Sequence, residues 1–334
     1  MLYIGGMINH PRIEHHAVSI VPGREGLASL STADHKRLGR TEPIQEGWIP
    51  YCHDEQTGSL IFATGLDAAA IAGRGMHYAR LRAATRKIAV VPTDVVPDAL
   101  LTPARRVYVF SPGRCGSTLL CQVLRAAGVP ALAEPGFYLS ILKGARGAST
   151  ACRDQLRANI RGLENALLQP FGADNTVIIK PHPYCAHDLD LWLGDEPRAT
   201  RPRTIALMRR IEPWSRSWFE FNQTDVVQDV ALYILYLGQL SRLLAETDCL
   251  LVSYEALMED PRQTVGNIAK HLGLVVDVTK VDAAMRLDSH AGDRLWARHA
   301  GPAGGAREAL VNTVWRLQRP DALIERLGIG GLTD

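Results

Sequence analysis

The 334-residue chain has no run of about 18 apolar residues, the length needed to span a bilayer. Its longest apolar-rich segment, Val226 to Leu244, is interrupted by Gln228, Asp229, Gln239 and Arg242 and reads as a buried amphipathic helix. Met1 to Pro11 has no basic segment followed by an apolar run, so neither a signal peptide nor an integral membrane anchor is expected, and a cytoplasmic location is. The six cysteines (Cys52, Cys115, Cys121, Cys152, Cys185 and Cys249) are scattered and form no C-x-x-C pair, which points to reduced thiols. His10, His15, His16, Cys52 and His53 lack recognisable metal-ligand spacing, so no metal is expected. There is little net charge either: 37 Lys and Arg against 35 Asp and Glu leave +2. That balance argues against nucleic acid as a partner, which calls for a basic footprint, but leaves room for a local basic pocket holding a small anion. No internal repeat or long low-complexity run is present.

What the chain does have is an ordinary globular composition, 46% hydrophobic and 22% charged, at a length that supports a sizeable core without staples. Val91 to Pro103 is spaced by Pro92, Pro97 and Pro103, each of which discourages helix around it. It is read as a connection between an N-terminal region, 1–100, and a second domain, 101–334. Beyond it, short apolar strands at Arg106–Phe110, Thr176–Lys180, Thr204–Met208 and Cys249–Ser253 alternate with helical patterns at Gly116–Ala127, Pro213–Phe221, Val226–Glu246 and Pro261–Leu272. The last helix is opened by Asp260-Pro261. This alternation predicts an α/β fold with a mainly parallel sheet flanked by helices. Ligands of such sheets sit at the carboxyl ends of the strands. In the N-terminal region an Ala-rich helix is expected within Asp67–Thr85, with strands about Tyr51, Leu60–Ala63 and Ile88–Val91. Its role is left open between acceptor recognition, dimer contact and scaffolding.

One segment carries chemistry by its local pattern. Val107–Phe110 runs into Ser111-Pro-Gly-Arg-Cys-Gly-Ser-Thr118 and then into Leu119–Leu124, giving a strand, a glycine-containing loop and a helix. Backbone N–H groups of such a loop converge on an anion, and the helix dipole favours it. Gly113 and Gly116 permit the tight backbone, Ser117 and Thr118 bring hydroxyls, and Arg114 brings a fixed charge with several donors. The nucleotide-triphosphate version of this loop ends in Gly-Lys-Ser/Thr. Here Ser117 follows Gly116, so the loop is a P-loop relative without the lysine.

These residues resemble the PAPS-dependent sulfotransferase superfamily (PAPS is 3'-phosphoadenosine-5'-phosphosulfate). Ser111–Leu120 is similar to its 5'-phosphosulfate loop, S-x-x-R-S-G-S-T-L-L, with Cys115 in place of the small hydroxyl residue. Met208–Trp218 resembles the 3'-phosphate segment, in which a strand ends in Arg and a Ser followed by an aromatic lies eight residues on. Arg209 and Ser217 have that spacing. Pro213 falls later than the usual R-D-P or R-N-P, so Arg210 is the alternative phosphate ligand. Leu250–Pro261 followed by Ile268–Gly273 is similar to Y-E-x-L…D-P…F-L-G and brings in Tyr254. The three matches occur in the right order over roughly 105–275.

The resemblance implies a P-loop-like sulfotransferase core with an additional N-terminal region. It implies transfer of a sulfuryl group from PAPS to a hydroxyl or amine acceptor with release of PAP, and no metal. The nucleotide would be held by Gly113, Arg114, Cys115, Gly116, Ser117, Thr118, Arg209 or Arg210, Ser217 and Tyr254. Arg114 and Lys180 are the candidates for stabilising the leaving group. Two candidates stand for the general base: His182 in Lys180-Pro-His-Pro183, and Glu134 in Ala133-Glu-Pro-Gly136. Arg294, Arg298, His299 and Gly301 are candidates for a segment closing over the nucleotide. The acceptor, a small molecule, glycan or lipid, is not legible, and a homo-oligomer is compatible with the chain. The rival readings are a P-loop nucleotide-dependent kinase or NTPase, and a sulfotransferase-like binding protein without activity.

Overall fold

The computed structural model describes residues 14–17, 36–37, 48–54, 58–67, 77–92, 104–194, 196–222, 224–286, 305–318, 320 and 324–325. In chain order the strands are β1 (Glu14–Ala17), β2 (Lys36–Arg37), β3 (Ile49–Asp54), β4 (Ser59–Ala63), β5 (Lys87–Pro92), β6 (Arg105–Phe110), β7 (Ala131–Ala133), β8 (Thr176–Lys180), β9 (Arg203–Met208) and β10 (Cys249–Ser253). The helices are α1 (His77–Ala84), α2 (Ser117–Ala126), α3 (Phe137–Ala145), α4 (Thr150–Leu168), α5 (Leu189–Leu193), α6 (Ile211–Asn222), α7 (Val226–Glu246), α8 (Tyr254–Glu259), α9 (Pro261–Leu272), α10 (Val281–Met285) and α11 (Gly305–Gln318).

The chain divides into two compact units. The first comprises 1–71, 78–104 and 136–173. Its sheet has the order β2-β1-β5-β4-β3, with every pair antiparallel. Helices α3 and α4 pack on β3. They are tied by polar contacts: Ser140 Oγ accepts from His53 N–H at 2.9 Å, and Tyr138 donates its hydroxyl to the buried Glu164. The sequence reading places 101–334 in one domain. In the structure 136–173 groups instead with the N-terminal residues, because its two helices cover an N-terminal strand. The expected helix of Asp67–Thr85 is present as α1, and residues 68–76 lie outside the described set.

The second unit comprises 72–77, 105–135 and 174–334. Its sheet is parallel throughout, in the order β10-β9-β6-β8-β7. β8 (TVIIK) is buried at every position, as expected for a strand covered on both faces. Three helices of this unit start where short polar side chains hold their first amides. Asp225 caps α7, Ser253 caps α8 and Asp260 caps α9, whose first residue is Pro261. Among the described residues no helix is long and apolar enough to cross a membrane.

This topology places the site. The chain enters at β6 in the middle of the sheet, builds β7 and β8 on one side, then crosses to build β9 and β10 on the other. The loop after β6 therefore lies at the reversal of strand order, where α/β sheets bind ligands. Read along the carboxyl edge, the residues that follow the five strands are Tyr254, Arg209, Ser111, Pro181 and Glu134, with Lys180 as the last residue of β8.

Candidate functional site

The backbone of the β6–α2 loop is unusual in a way that its composition anticipates. Gly113, Arg114 and Gly116 all have positive φ, at 82°, 53° and 76°. The left-handed region is open to glycine but costs an L-residue such as Arg114 about 1–2 kcal/mol. At both glycines a side chain would also collide with a neighbour. A Cβ on Gly113 would lie 2.8 Å from Trp218, and one on Gly116 would lie 2.5 Å from the Tyr254 ring. The loop is thus closed in by α6 on one side and by the start of α8 on the other.

Side chains of β9 and α6 grip the loop. Arg114 Nε donates to Ser217 Oγ at 3.1 Å. Arg209 Nη1 donates to the carbonyl of Arg114 at 3.1 Å, and its guanidinium carbon stands 4.5 Å from the centroid of the Tyr254 ring. Arg209, Arg114, Ser217 and Tyr254 therefore meet at one place, as the sequence spacing suggests. Arg210 does not join them. It is exposed, its N–H donates to Glu255 Oε1 at 3.1 Å, and its guanidinium faces the same carboxylate at 3.9 Å. Of the two arginines that follow β9, Arg209 is the one on the loop.

The electrostatics of this cluster suit an anion. Burial and the neighbouring Arg209 guanidinium both lower the Arg114 pKa from its ordinary value, opposed by Glu220. Two guanidiniums held together in a half-buried place favour an anionic ligand. Arg209 Nε is buried and meets no hydrogen-bond acceptor among the described residues, which leaves a charged donor for a phosphate to satisfy. Cys115 is fully buried, and desolvation holds its thiol well above the ordinary range despite the opposing pull of nearby Arg209. Ser117 Oγ accepts from Ser111 Oγ at 3.2 Å inside the loop, while Thr118 at the start of α2 is half-buried.

Across the sheet edge from Arg209, Lys180 ends β8 with its side chain 3% exposed and ion-paired to Glu134. The pairing follows from register. Ala133 lies opposite Lys180, and Glu134 N–H donates to Lys180 O at 2.7 Å, extending the ladder by one residue. Glu134 has φ 57°, the other positive φ among the described non-glycine residues. Its carboxylate thus turns onto the lysine at the point where the strand ends. His182 takes a different part: its Nδ1 accepts from Tyr184 N–H at 3.4 Å, capping the short turn Pro183–His187, and its ring meets that of Tyr184 at a tilt of 46° with centroids 5.0 Å apart.

The pattern of the sequence does not reveal the supports behind the loop. Trp214 is fully buried, donates its Nε1–H to Gly113 O at 2.8 Å, and stacks on Trp218 with centroids 5.4 Å apart. Tyr236 donates to Phe110 O at 3.1 Å and lies 3.3 Å from Leu207 O, and Tyr233 donates to Arg209 O. The one available signal is spacing: Trp214, Ser217 and Trp218 share a face of α6, and Tyr233 and Tyr236 share one of α7. Among the described residues no group of three His, Cys, Asp or Glu side chains could hold a metal ion. Arg294, Arg298, His299 and Gly301 lie outside the described residues.

No family model and no curated protein matches the sequence. Solved structures do. The sulfotransferase domain of the Synechococcus PCC 7002 olefin synthase is similar at 18% identity, covering 70% of this chain and 96% of its own, with a TM-score of 0.37. Sulfotransferase STF1 of Mycobacterium tuberculosis H37Rv is similar at 17% identity, covering 70% of this chain and 78% of its own, with a TM-score of 0.38. Retinol dehydratase in a complex with retinol and PAP is similar at 13% identity, covering 59% of this chain and 69% of its own, with a TM-score of 0.32. At these values the functional reading has to come from the geometry of the site itself.

Proposed function

We propose that this chain is a sulfotransferase that takes the sulfuryl group of PAPS to a hydroxyl or amine acceptor and releases PAP. The observation that carries the reading is the meeting of two anion-binding segments at Arg114, which belongs to the left-handed loop after β6 and is bonded to both Arg209 and Ser217 of the β9–α6 segment. One segment suits the 5'-phosphosulfate. The other suits the 3'-phosphate, the group that separates PAPS from the common adenine nucleotides.

In-line transfer needs charge stabilisation on the leaving 5'-phosphate and a place for the acceptor's proton. The acceptor oxygen or nitrogen bonds to sulfur as the bond from sulfur to the 5'-phosphate oxygen breaks, and that electron pair leaves with PAP. Arg114 and the loop amides hold the phosphate. Lys180, a buried ammonium at the neighbouring strand end, neutralises the charge that grows on the bridging oxygen. Glu134, already against Lys180, takes the acceptor's proton. His182, whose Nδ1 caps a turn, is assigned to the framework beside the site.

Thermal unfolding with PAP, ADP, ATP and AMP, each without and with magnesium, tests the reading, since a ligand that binds the folded state raises its stability by mass action. PAP is expected to raise Tm clearly and ADP weakly or not at all. A shift with ATP and magnesium alone would turn the assignment to a nucleotide kinase. No shift with any nucleotide would leave a fold without the activity.

A further inference from the structure

We infer that Trp214 is a positioning residue for the phosphate loop, acting by holding a main-chain carbonyl so that the next amide faces the ligand. The inference rests on the anion-binding reading of that loop.

An amide is planar and trans, so its C=O and N–H point to opposite sides; there is no cis peptide bond among the described residues. Fixing a carbonyl therefore aims the following N–H. Three carbonyls at this loop are each held by a side-chain donor from the β9–α6–α7 side. Phe110 O accepts from Tyr236 at 3.1 Å, Gly113 O from Trp214 at 2.8 Å, and Arg114 O from Arg209 at 3.1 Å. The amides paired with those carbonyls are Ser111 N–H, Arg114 N–H and Cys115 N–H. By the planarity of the peptide they point away from the donors, and it is on that side that we place the anion.

Trp214 is held by two other rings. Its indole has no exposure, lies between Trp218 at 5.4 Å and Tyr233 at 4.8 Å, and carries a single N–H. Trp218 stands against the same residue, 2.8 Å from where a Gly113 Cβ would be. Left-handed backbone at Arg114, directly after Gly113, stores conformational energy that something must hold in place. The indole hydrogen bond does this at the peptide between them. A preformed set of amides binds an anion without the cost of turning them at the moment of binding.

The test uses Trp214→Phe, which keeps a ring in the stack and removes the donor. Calorimetric affinities are measured for PAP, adenosine 3'-monophosphate and inorganic pyrophosphate. The Kd for PAP and for pyrophosphate is expected to rise about tenfold, the worth of one buried hydrogen bond, while that for adenosine 3'-monophosphate stays within about twofold. Unchanged PAP affinity overturns the inference. An equal loss for all three ligands also overturns it, because Trp214 would then merely pack the helix that carries Ser217. Should Trp214→Phe fail to fold, Trp214→Leu replaces it, which also removes the donor, with the same selectivity expected and the same outcomes decisive. Wild-type protein that binds pyrophosphate but not PAP would end the sulfotransferase reading and leave the positioning role to be judged on pyrophosphate. Wild-type protein that binds neither would end both.

Discussion

Lys180 and Glu134 form a coupled pair whose two members matter in different ways. A nearly buried ammonium persists because a carboxylate stands against it, and removing one partner strands the other. Glu134→Gln is expected to destabilise the second unit by about 3 kcal/mol, and Lys180→Met with Glu134→Gln by clearly less than the sum of the two single changes, since ion-pair energies are not additive. Urea denaturation of the four proteins checks this. Additive losses would mean that the two groups do not depend on each other. Turnover separates the roles further. Lys180→Met should lower kcat by about a hundredfold or more, as loss of a charge-stabilising donor does, with PAP affinity changed far less. The lysine was legible in the sequence, because it ends an apolar strand before Pro181 and Pro183. Its partnership with Glu134 was not: it depends on which strands are neighbours, and 46 residues separate the two.

At the scale of elements, the site is the place where α6 and the start of α8 close on one loop. The contact of Gly116 with Tyr254 shows how little room there is. Gly116→Ala meets two penalties: a left-handed backbone, costing about 1–2 kcal/mol, and a Cβ 2.5 Å from the ring. The strained loop should lose most of its PAP affinity, and the protein should unfold at lower urea. Adding Tyr254→Ala removes the ring but leaves the backbone penalty, so the double variant should recover part of the stability of Gly116→Ala and little of its binding, the ring being also the platform under Arg209. Urea midpoints and PAP titrations of the set decide it. No recovery at all would show that the ring is not what limits Gly116. The glycines and Arg114 were readable because a tight anion loop requires those residue types. The donors behind the loop were not readable, because a tryptophan bonded to a main-chain carbonyl has the same sequence signature as one packed in a core.

Over the whole molecule, the second sheet was legible and the division of the chain only partly so. Strands such as TVIIK announce a buried parallel sheet by continuous apolar runs, and the helices between them are marked by caps such as Asp260-Pro261. The helices α3 and α4 also have clear apolar faces, but an apolar face does not say which sheet it covers; their packing on β3 groups 136–173 with the first sheet. The behaviour of the second unit with pH can be argued from His187, which follows the Lys180 strand by one short turn. Burial lowers its pKa below the ordinary 6.5. The folded state therefore disfavours the imidazolium, whereas the unfolded chain accepts the proton at the ordinary value. Above that value His187 is neutral in both states and stability is at its full level. As pH falls through 6.5 the unfolded state binds more protons, and stability drops until the folded-state pKa is passed. His187→Gln lacks this linkage. The stability of wild type minus that of His187→Gln should therefore fall between about pH 7.5 and 5, while the shared pH dependence of all other groups cancels. Trp192, Trp214, Trp218 and Trp315 lie in the same unit, so urea unfolding followed by tryptophan fluorescence reads the relevant transition. A difference that stays constant across this range would show that His187 accepts its proton as readily in the folded protein as in water.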